Sequence, residues 1–343
     1  MSLSSVVRCG VIGYGYWGPN VVRNVMECGD VRVQMIADAS RDRLGHASQR
    51  YPSVETTTDA MDVISSVDVD AVIIATPVST HYELAHAAIK AGKHVLVEKP
   101  ISQNVEQALT LIEAARARGL TLMVDHTFIY TGAVMKLAEI ARNGDLGTMY
   151  YYDSTRANLG LFQQDVNVIY DLAVHDLSIL DHVLMEKPIE VSAVGASHLP
   201  SAPQNVAFIT LFYESGLIAH INVNWLSPVK VRRAHICGSQ RMVVYDDVEP
   251  SEKIKIYDKG VDFTQDISSI HRLLISYRSG DMRAPYLDQR EALNRVVAHF
   301  ADCIRNGVSP ITDGAMGARV LQYMIAACVS MEARGRPQQL QSL

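Results

Sequence analysis

Basic charge, tryptophan and long apolar runs are all scarce in this 343-residue chain, and each shortage excludes something. No apolar stretch approaches the roughly 18 residues that a membrane-spanning helix needs, so no membrane partner is expected. Lys+Arg number 31 against Asp+Glu 37, a net charge of −6, whereas a protein built to coat a phosphate backbone would be basic. General nucleic-acid binding is therefore not expected, although a local cationic pocket for one anionic ligand remains open. The five cysteines (Cys9, Cys28, Cys237, Cys303 and Cys328) are odd in number and scattered, with no CxxC pair. Neither a zinc site nor a disulfide framework follows, and buried free thiols in a reducing compartment are expected instead. Met1–Ser5 lead straight into an apolar run without a basic segment or a small-residue cleavage site. The expectation is a cytoplasmic protein without a signal peptide.

What is present suits two packed domains, since hydrophobic residues make up 48% of the chain and Gly (21) and Pro (12) are in ordinary supply. Up to about Asp125, short apolar runs alternate with helix-period stretches. Strands are expected at Arg8–Ile12, Val31–Ala37, Ala71–Ala75, His94–Val97 and Leu122–Val124. Helices are expected near Pro19–Cys28, Asp42–Arg50, Thr80–Ala91 and Val105–Arg118. The strands are almost wholly apolar, as they must be when helices cover both faces of a sheet. Residues 1–125 therefore read as an α/β domain with a doubly wound parallel sheet. After a helix at Thr131–Asn143, strand patterns dominate: Met149–Thr155, Ile189–Val194, Val206–Tyr213, Leu217–Asn224, Arg233–Cys237, Met242–Tyr245 and Lys253–Tyr257. Glu214-Ser215-Gly216 between two alternating runs predicts a hairpin. With helices at Tyr170–Met185, Leu287–Arg305 and Gly314–Arg334, residues 126–343 read as an α+β domain on a mostly antiparallel open sheet. Asp258–Pro285, polar and irregular, reads as a long loop or lid.

Gly13-Tyr14-Gly15-Tyr16-Trp17-Gly18 is a GxGxxG that follows a strand and opens a helix, with Pro19 suited to the first helical turn. Gly13 permits the tight turn, Gly15 lets the backbone approach a pyrophosphate, and Gly18 allows close packing. The phosphates would meet the free N–H groups of the helix N-terminus. Asp38 lies 20 residues past Gly18, at the end of the next apolar run. A carboxylate there accepts from ribose hydroxyls and repels a 2′-phosphate, so NAD is favoured over NADP, a preference that Arg41 and Arg43 weaken.

Glu98 and Lys99 follow a buried strand at its carboxyl end, the edge of an open α/β sheet where ligands bind. An ammonium there can stabilise an alkoxide that develops as hydride leaves its carbon. The position equally suits a surface lysine paired with Glu98. In Tyr170–Met185, a helix of 100° per residue places Asp171, His175, Ser178 and His182 in one stripe. Asp171 can then orient an imidazole suited to take a hydroxyl proton. The same stripe suits a helix showing its polar face to water. Asp176 falls within the apolar arc and needs a buried partner.

Together the fingerprint, Thr76-Pro77 with His81, Ala91-Gly92-Lys93-His94-Val95 leading into Glu98-Lys99-Pro100, and Asp171 with His175-Asp176 resemble the glucose–fructose oxidoreductase / inositol dehydrogenase / MocA family over nearly the whole chain. The resemblance implies an NAD(P)-dependent oxidoreductase acting on a secondary alcohol of a sugar or cyclitol. Its fold would be a Rossmann domain followed by an α/β domain whose open sheet commonly forms an oligomer interface, so a homodimer or homotetramer is expected. It further implies that Lys99 contacts the reacting hydroxyl and the nicotinamide region, that His175 is the base, and that Asp171 holds the histidine or a substrate hydroxyl. Tyr16, Trp17, Thr76, Pro77, His81 and Glu98 would join the fingerprint in the cofactor cleft. Val78 departs from the asparagine that many relatives carry there. Arg156–Phe162 and Trp225-Leu226-Ser227-Pro228 are similar to sugar-nucleotide 3-dehydrogenases, which oxidise the 3-hydroxyl of UDP-N-acetylglucosamine or a related nucleotide sugar. Arg156 and Asn158 would then contact substrate, with Arg156, Lys230, Arg232 and Arg233 as cationic partners for its pyrophosphate. A free-sugar or inositol dehydrogenase, a ketosugar reductase and a non-catalytic NAD-binding sensor are the alternatives.

Overall fold

The computed structural model describes residues 6–160, 166–200, 202–265 and 273–343, with the side chains of 261–277 excepted. The chain divides into two units. One comprises residues 1–131 with 290–322 and Leu343; the other comprises 132–289 with 323–342.

The first unit is built on six parallel strands in the order β3-β2-β1-β4-β5-β6, namely β1 (Val7–Ile12), β2 (Val31–Ala37), β3 (Glu55–Thr57), β4 (Ala71–Ile74), β5 (His94–Glu98) and β6 (Leu122–Asp125). This is the doubly wound order, in which the chain reverses direction across the sheet between β1 and β4. Every residue of β4 and β6 is buried, which is why those runs read as continuously apolar. The intervening helices are α1 (Gly18–Glu27), α2 (Arg41–Arg50), α3 (Ala60–Ser65), α4 (His81–Lys90) and α5 (Val105–Ala117). The Ser40 hydroxyl caps α2 by accepting from Arg43 N, and Asn104 caps α5 by accepting from Gln107 N. The short pair β3 and α3 was not expected, because three and six residues give periodicity too little length to register.

Residues 290–322, assigned by the sequence pattern to the second half, belong to this first unit. Leu293, Val296, Val297 and Phe300 of this segment are buried, and polar ties join it to the strands and helices of the first unit. Arg23 donates to both oxygens of Glu291, Arg305 meets Asp30 at 2.6 Å, and the Thr312 hydroxyl donates to the Val124 carbonyl at 2.7 Å.

The second unit begins with α6 (Gly132–Arg142) and carries a nine-stranded, mostly antiparallel sheet. Its centre is β7 (Met149–Leu159), flanked by β10 (Ile218–Asn224) and β11 (Leu226–Gly238), with α7 (Val174–Val183) preceding β8 (Glu190–Ala196) and β9 (Val206–Phe212). The expected hairpin joins β9 to β10, turning at Gly216 with φ +85°. The strands alternate. Ala193, Ile209 and Ala219 are buried, while Val194, Phe208 and Ile218 are exposed on a face that no helix covers among the described residues. Within 258–285, residues Gly260–Gln265 and Leu273–Arg278 pair as a separate antiparallel ribbon, so a hairpin replaces much of the expected loop; 266–272 lie outside the described residues.

Candidate active site

The fingerprint loop follows β1 and enters α1. Gly13 sits at φ +100°, and a Cβ on it would stand 2.5 Å from the Ala75 carbonyl oxygen. A Cβ on Gly18 would stand 2.2 Å from the Gly13 carbonyl oxygen, so neither position admits a side chain. At Gly15 a Cβ would meet only the Arg43 guanidinium, at 3.4 Å, leaving the backbone open to a ligand. No side chain caps the N-terminus of α1, and Pro19 has no N–H to offer.

Along the carboxyl ends of β1, β2, β4 and β5 runs a cleft of about 830 Å³. Gly13, Gly15, Tyr16, Trp17, Asp38, Thr76, Pro77, Glu98 and Lys99 all line it, so one concavity gathers nine positions that the motif spacing and the family resemblance named. Asp38 is nearly buried. Its Oδ2 accepts from Tyr14 N at 2.6 Å and its Oδ1 from Ser40 N at 2.8 Å, which fixes the carboxylate at the rim. Arg43 Nη1 stands 3.7 Å from the same carboxylate, on a largely exposed side chain. A dinucleotide fits this chemistry: an open glycine for the pyrophosphate, an uncapped helix start and a fixed carboxylate for the ribose.

His81, expected among the cofactor contacts, is 1% exposed and stands behind the wall. Its Nδ1 is 2.8 Å from the Pro100 carbonyl oxygen and its Nε2 is 2.9 Å from that of Thr76. Burial, with Lys99 nearby, holds its pKa below the usual imidazole value, so the neutral ring donates to one carbonyl at a time. It braces the Thr76-Pro77 and Lys99-Pro100 segments instead of touching a ligand. At the end of β5, burial and the Asp125 carboxyl push the pKa of Glu98 well above the carboxylate range.

In the second unit, Asp171 lies in a π-helical turn, Ile169–Ala173, that opens α7. The Val174 N–H reaches back to the Ile169 carbonyl, a wider turn than the 100° stripe assumes. Asn167 Oδ1 accepts from Ile169 N at 3.0 Å and starts the turn. Asp171 Oδ2 accepts from the indole N–H of buried Trp225 at 2.9 Å. A Cβ on Gly160 would come within 2.7 Å of the Trp225 ring, so glycine there makes room for the tryptophan that holds the aspartate. Trp225 entered the sequence reading only through a resemblance; that it follows directly on a buried alternating strand was the available signal. Asp171 and His175 are half-buried, but Ser178 is fully buried and donates back to the His175 carbonyl, so the polar stripe does not face water.

Asp176 finds its partner in Arg156, whose Nε donates to Asp176 Oδ2 at 2.5 Å with both side chains buried. Arg156 is therefore a core residue, and the expectation that it contacts substrate gives way to this pairing. Arg232 and Arg233 are also ion-paired, with Asp247 and Asp246, while Lys230 is exposed and Asn158 half-buried. Leu161 and Phe162 lie outside the described residues.

Comparison with known proteins matches residues 7–126 to the oxidoreductase family with an NAD-binding Rossmann fold, and residues 134–244 to the GFO/IDH/MocA C-terminal domain. The chain belongs to the GFO/IDH/MocA oxidoreductase family. Among the similar members of that family, UDP-N-acetylglucosamine 3-dehydrogenase of Acidithiobacillus ferrooxidans is 28% identical over 334 residues, covering 95% of this chain and 98% of that protein. Its solved structure superposes with a TM-score of 0.80 at 26% identity, covering 95% of this chain and 97% of the other. Myo-inositol 2-dehydrogenase of Thermotoga maritima is 24% identical over 339 residues, covering 96% and 97%. This GFO/IDH/MocA member is thus an oxidoreductase with an NAD-binding Rossmann domain, and none of its described helices is long and apolar enough to cross a membrane.

Proposed function

We propose that the protein oxidises a secondary hydroxyl, at C3, of a nucleotide sugar such as UDP-N-acetylglucosamine to the ketone, using NAD in preference to NADP. The observation that carries the reading is the single cleft in which Lys99, Glu98 and Asp38 share walls with the glycine fingerprint. The full-length similarity to a UDP-N-acetylglucosamine 3-dehydrogenase supports the substrate class. Bound nicotinamide supplies the hydride acceptor.

The protein's own residues do the rest. The backbone at Gly15 and the start of α1 receive the pyrophosphate, and Asp38 receives the adenosine ribose and disfavours a 2′-phosphate. Lys99 stabilises the negative charge that develops on the reacting oxygen, where a preorganised cation counts for more than in water. His175 accepts the hydroxyl proton at a ring nitrogen, and Asp171, steadied by Trp225, positions the imidazole or a neighbouring substrate hydroxyl. The exposed face of the nine-stranded sheet, with Val194, Phe208 and Ile218, is the surface proposed for a homodimer or homotetramer.

Initial rates of NAD reduction across UDP-sugars, free sugars and inositols test the reading. Turnover of a UDP-sugar, with kcat lowered at least about a hundredfold in His175→Ala and in Lys99→Met, is the expected result. Turnover of inositols or free sugars alone would replace the substrate class. NAD binding without reduction of any substrate would favour a sensor. Unchanged kcat in His175→Ala would remove the base.

A further inference from the structure

Glu98 ends β5 and Asp125 ends β6, and the two are register partners on adjacent parallel strands. Same-register side chains on neighbouring strands leave the sheet on one side, about 5 Å apart. Asp125 is buried, with its Oδ1 accepting from the Thr127 hydroxyl at 2.7 Å. Glu98 lines the cleft, yet its Oε1 is sealed from solvent and accepts no hydrogen bond among the described residues. Two ionised carboxylates in this position would repel each other and leave one oxygen without a donor. One proton between them removes both problems.

We propose that Glu98 is a carboxylic acid donating its proton to Asp125, so that the pair carries a single negative charge, and that Asp125 is a positioning residue holding this charge against Lys99. The inference rests on the reading of Lys99 as the amine that stabilises the substrate oxygen. The surroundings decide which carboxyl keeps the proton. Burial raises the pKa of both carboxyls and Lys99 favours the charged form of both, but Thr127 and Trp17 favour that of Asp125 alone, and the Asp125 charge adds to the rise at Glu98. Tyr130 and His81 also lie within electrostatic reach of Asp125 and Lys99 respectively; burial raises the pKa of the phenol and lowers that of the imidazole, keeping both neutral. Charge count matters for Lys99. A doubly charged pair would hold the ammonium in an ion pair and away from substrate, while a neutral pair would let it lose its proton more readily. One charge gives the ammonium a single carboxylate to face. The shared proton stays on the pair and is not passed to substrate.

Infrared spectroscopy of the full chain carrying 13C-labelled glutamate provides a readout that needs no turnover. At pH 7 the expected spectrum holds a protonated glutamic acid carbonyl band that Glu98→Gln abolishes, which assigns it. Asp125→Asn should also abolish it, because the asparagine amide donates to Glu98 and the neighbouring charge is gone, leaving Glu98 ionised. The alkaline limb of the kcat–pH profile should then stay in place in Asp125→Asn, where one charge remains. It should move down by about one pH unit in the Glu98→Gln/Asp125→Asn double variant, where none does. Absence of the band in the wild type, or its persistence in Asp125→Asn, overturns the shared proton. An unmoved limb in the double variant overturns the positioning role. Failure of the Lys99 reading is separate, for full activity in Lys99→Met would leave the infrared result standing.

Discussion

Removing Asp176 should unfold the second unit far more easily than removing Arg156 and Asp176 together. The two side chains are 6% and 2% exposed and meet at 2.5 Å, so neither can fall back on water when the other is lost. Asp176→Ala strands a guanidinium in the core, a change worth about 3–5 kcal/mol. For a unit of this size each kcal/mol lowers the melting temperature by about 2–4 °C, so a fall of roughly 10 °C is expected. Arg156→Met/Asp176→Leu removes both charges at similar volume and should recover most of that loss. Differential scanning calorimetry with matched kinetics separates the possibilities. A melting temperature for Asp176→Ala within about 2 °C of wild type would refute the stranded-charge reasoning. A double variant that is stable but has a substrate KM raised at least about tenfold would return Arg156 to the substrate contacts.

Gly18→Ala should weaken NAD binding at least about tenfold by calorimetric titration, since its methyl group would stand 2.2 Å from the Gly13 carbonyl oxygen and the loop must open; an unchanged Kd would show that the loop is not the phosphate cradle. His182, half-buried near Arg142 and Lys187, has its pKa lowered to about 4, chiefly by burial. The unfolded chain therefore takes up a proton near pH 6.5 that the folded chain refuses. Stability is complete above that pH and declines towards pH 4 by up to about 3 kcal/mol. His182→Gln should flatten the fall in melting temperature between pH 7 and 5, and an equal slope in both proteins would refute the assignment. Trp225→Phe removes the donor to Asp171 while keeping an aromatic ring, and should lower kcat about tenfold with little change in NAD affinity; equal kcat would free Asp171 of its dependence on the indole.

The parallel sheet and its glycine fingerprint could be read directly from the residues, because both are local in origin. Buried strands are almost wholly apolar over four to seven residues, and the turn at Gly13–Gly18 needs its glycines within one short segment. Asp38 and Lys99 could be placed for a related reason: strand ends in a doubly wound sheet share one edge, so position along the chain predicts position at the cleft. The need of Asp176 for a partner was equally visible, since a carboxylate in an apolar arc must be neutralised. The identity of that partner was not, because Arg156 lies 20 residues away on a strand whose packing against α7 no periodicity encodes. The same limit hid the Trp225–Asp171 bond, the burial of His81 behind the cleft wall, the π turn at 169–173 and the pairing of Glu98 with Asp125. Local pattern determines which residues leave water and in which element. Which buried polar groups then meet is decided by strand register and helix docking between segments far apart in the chain.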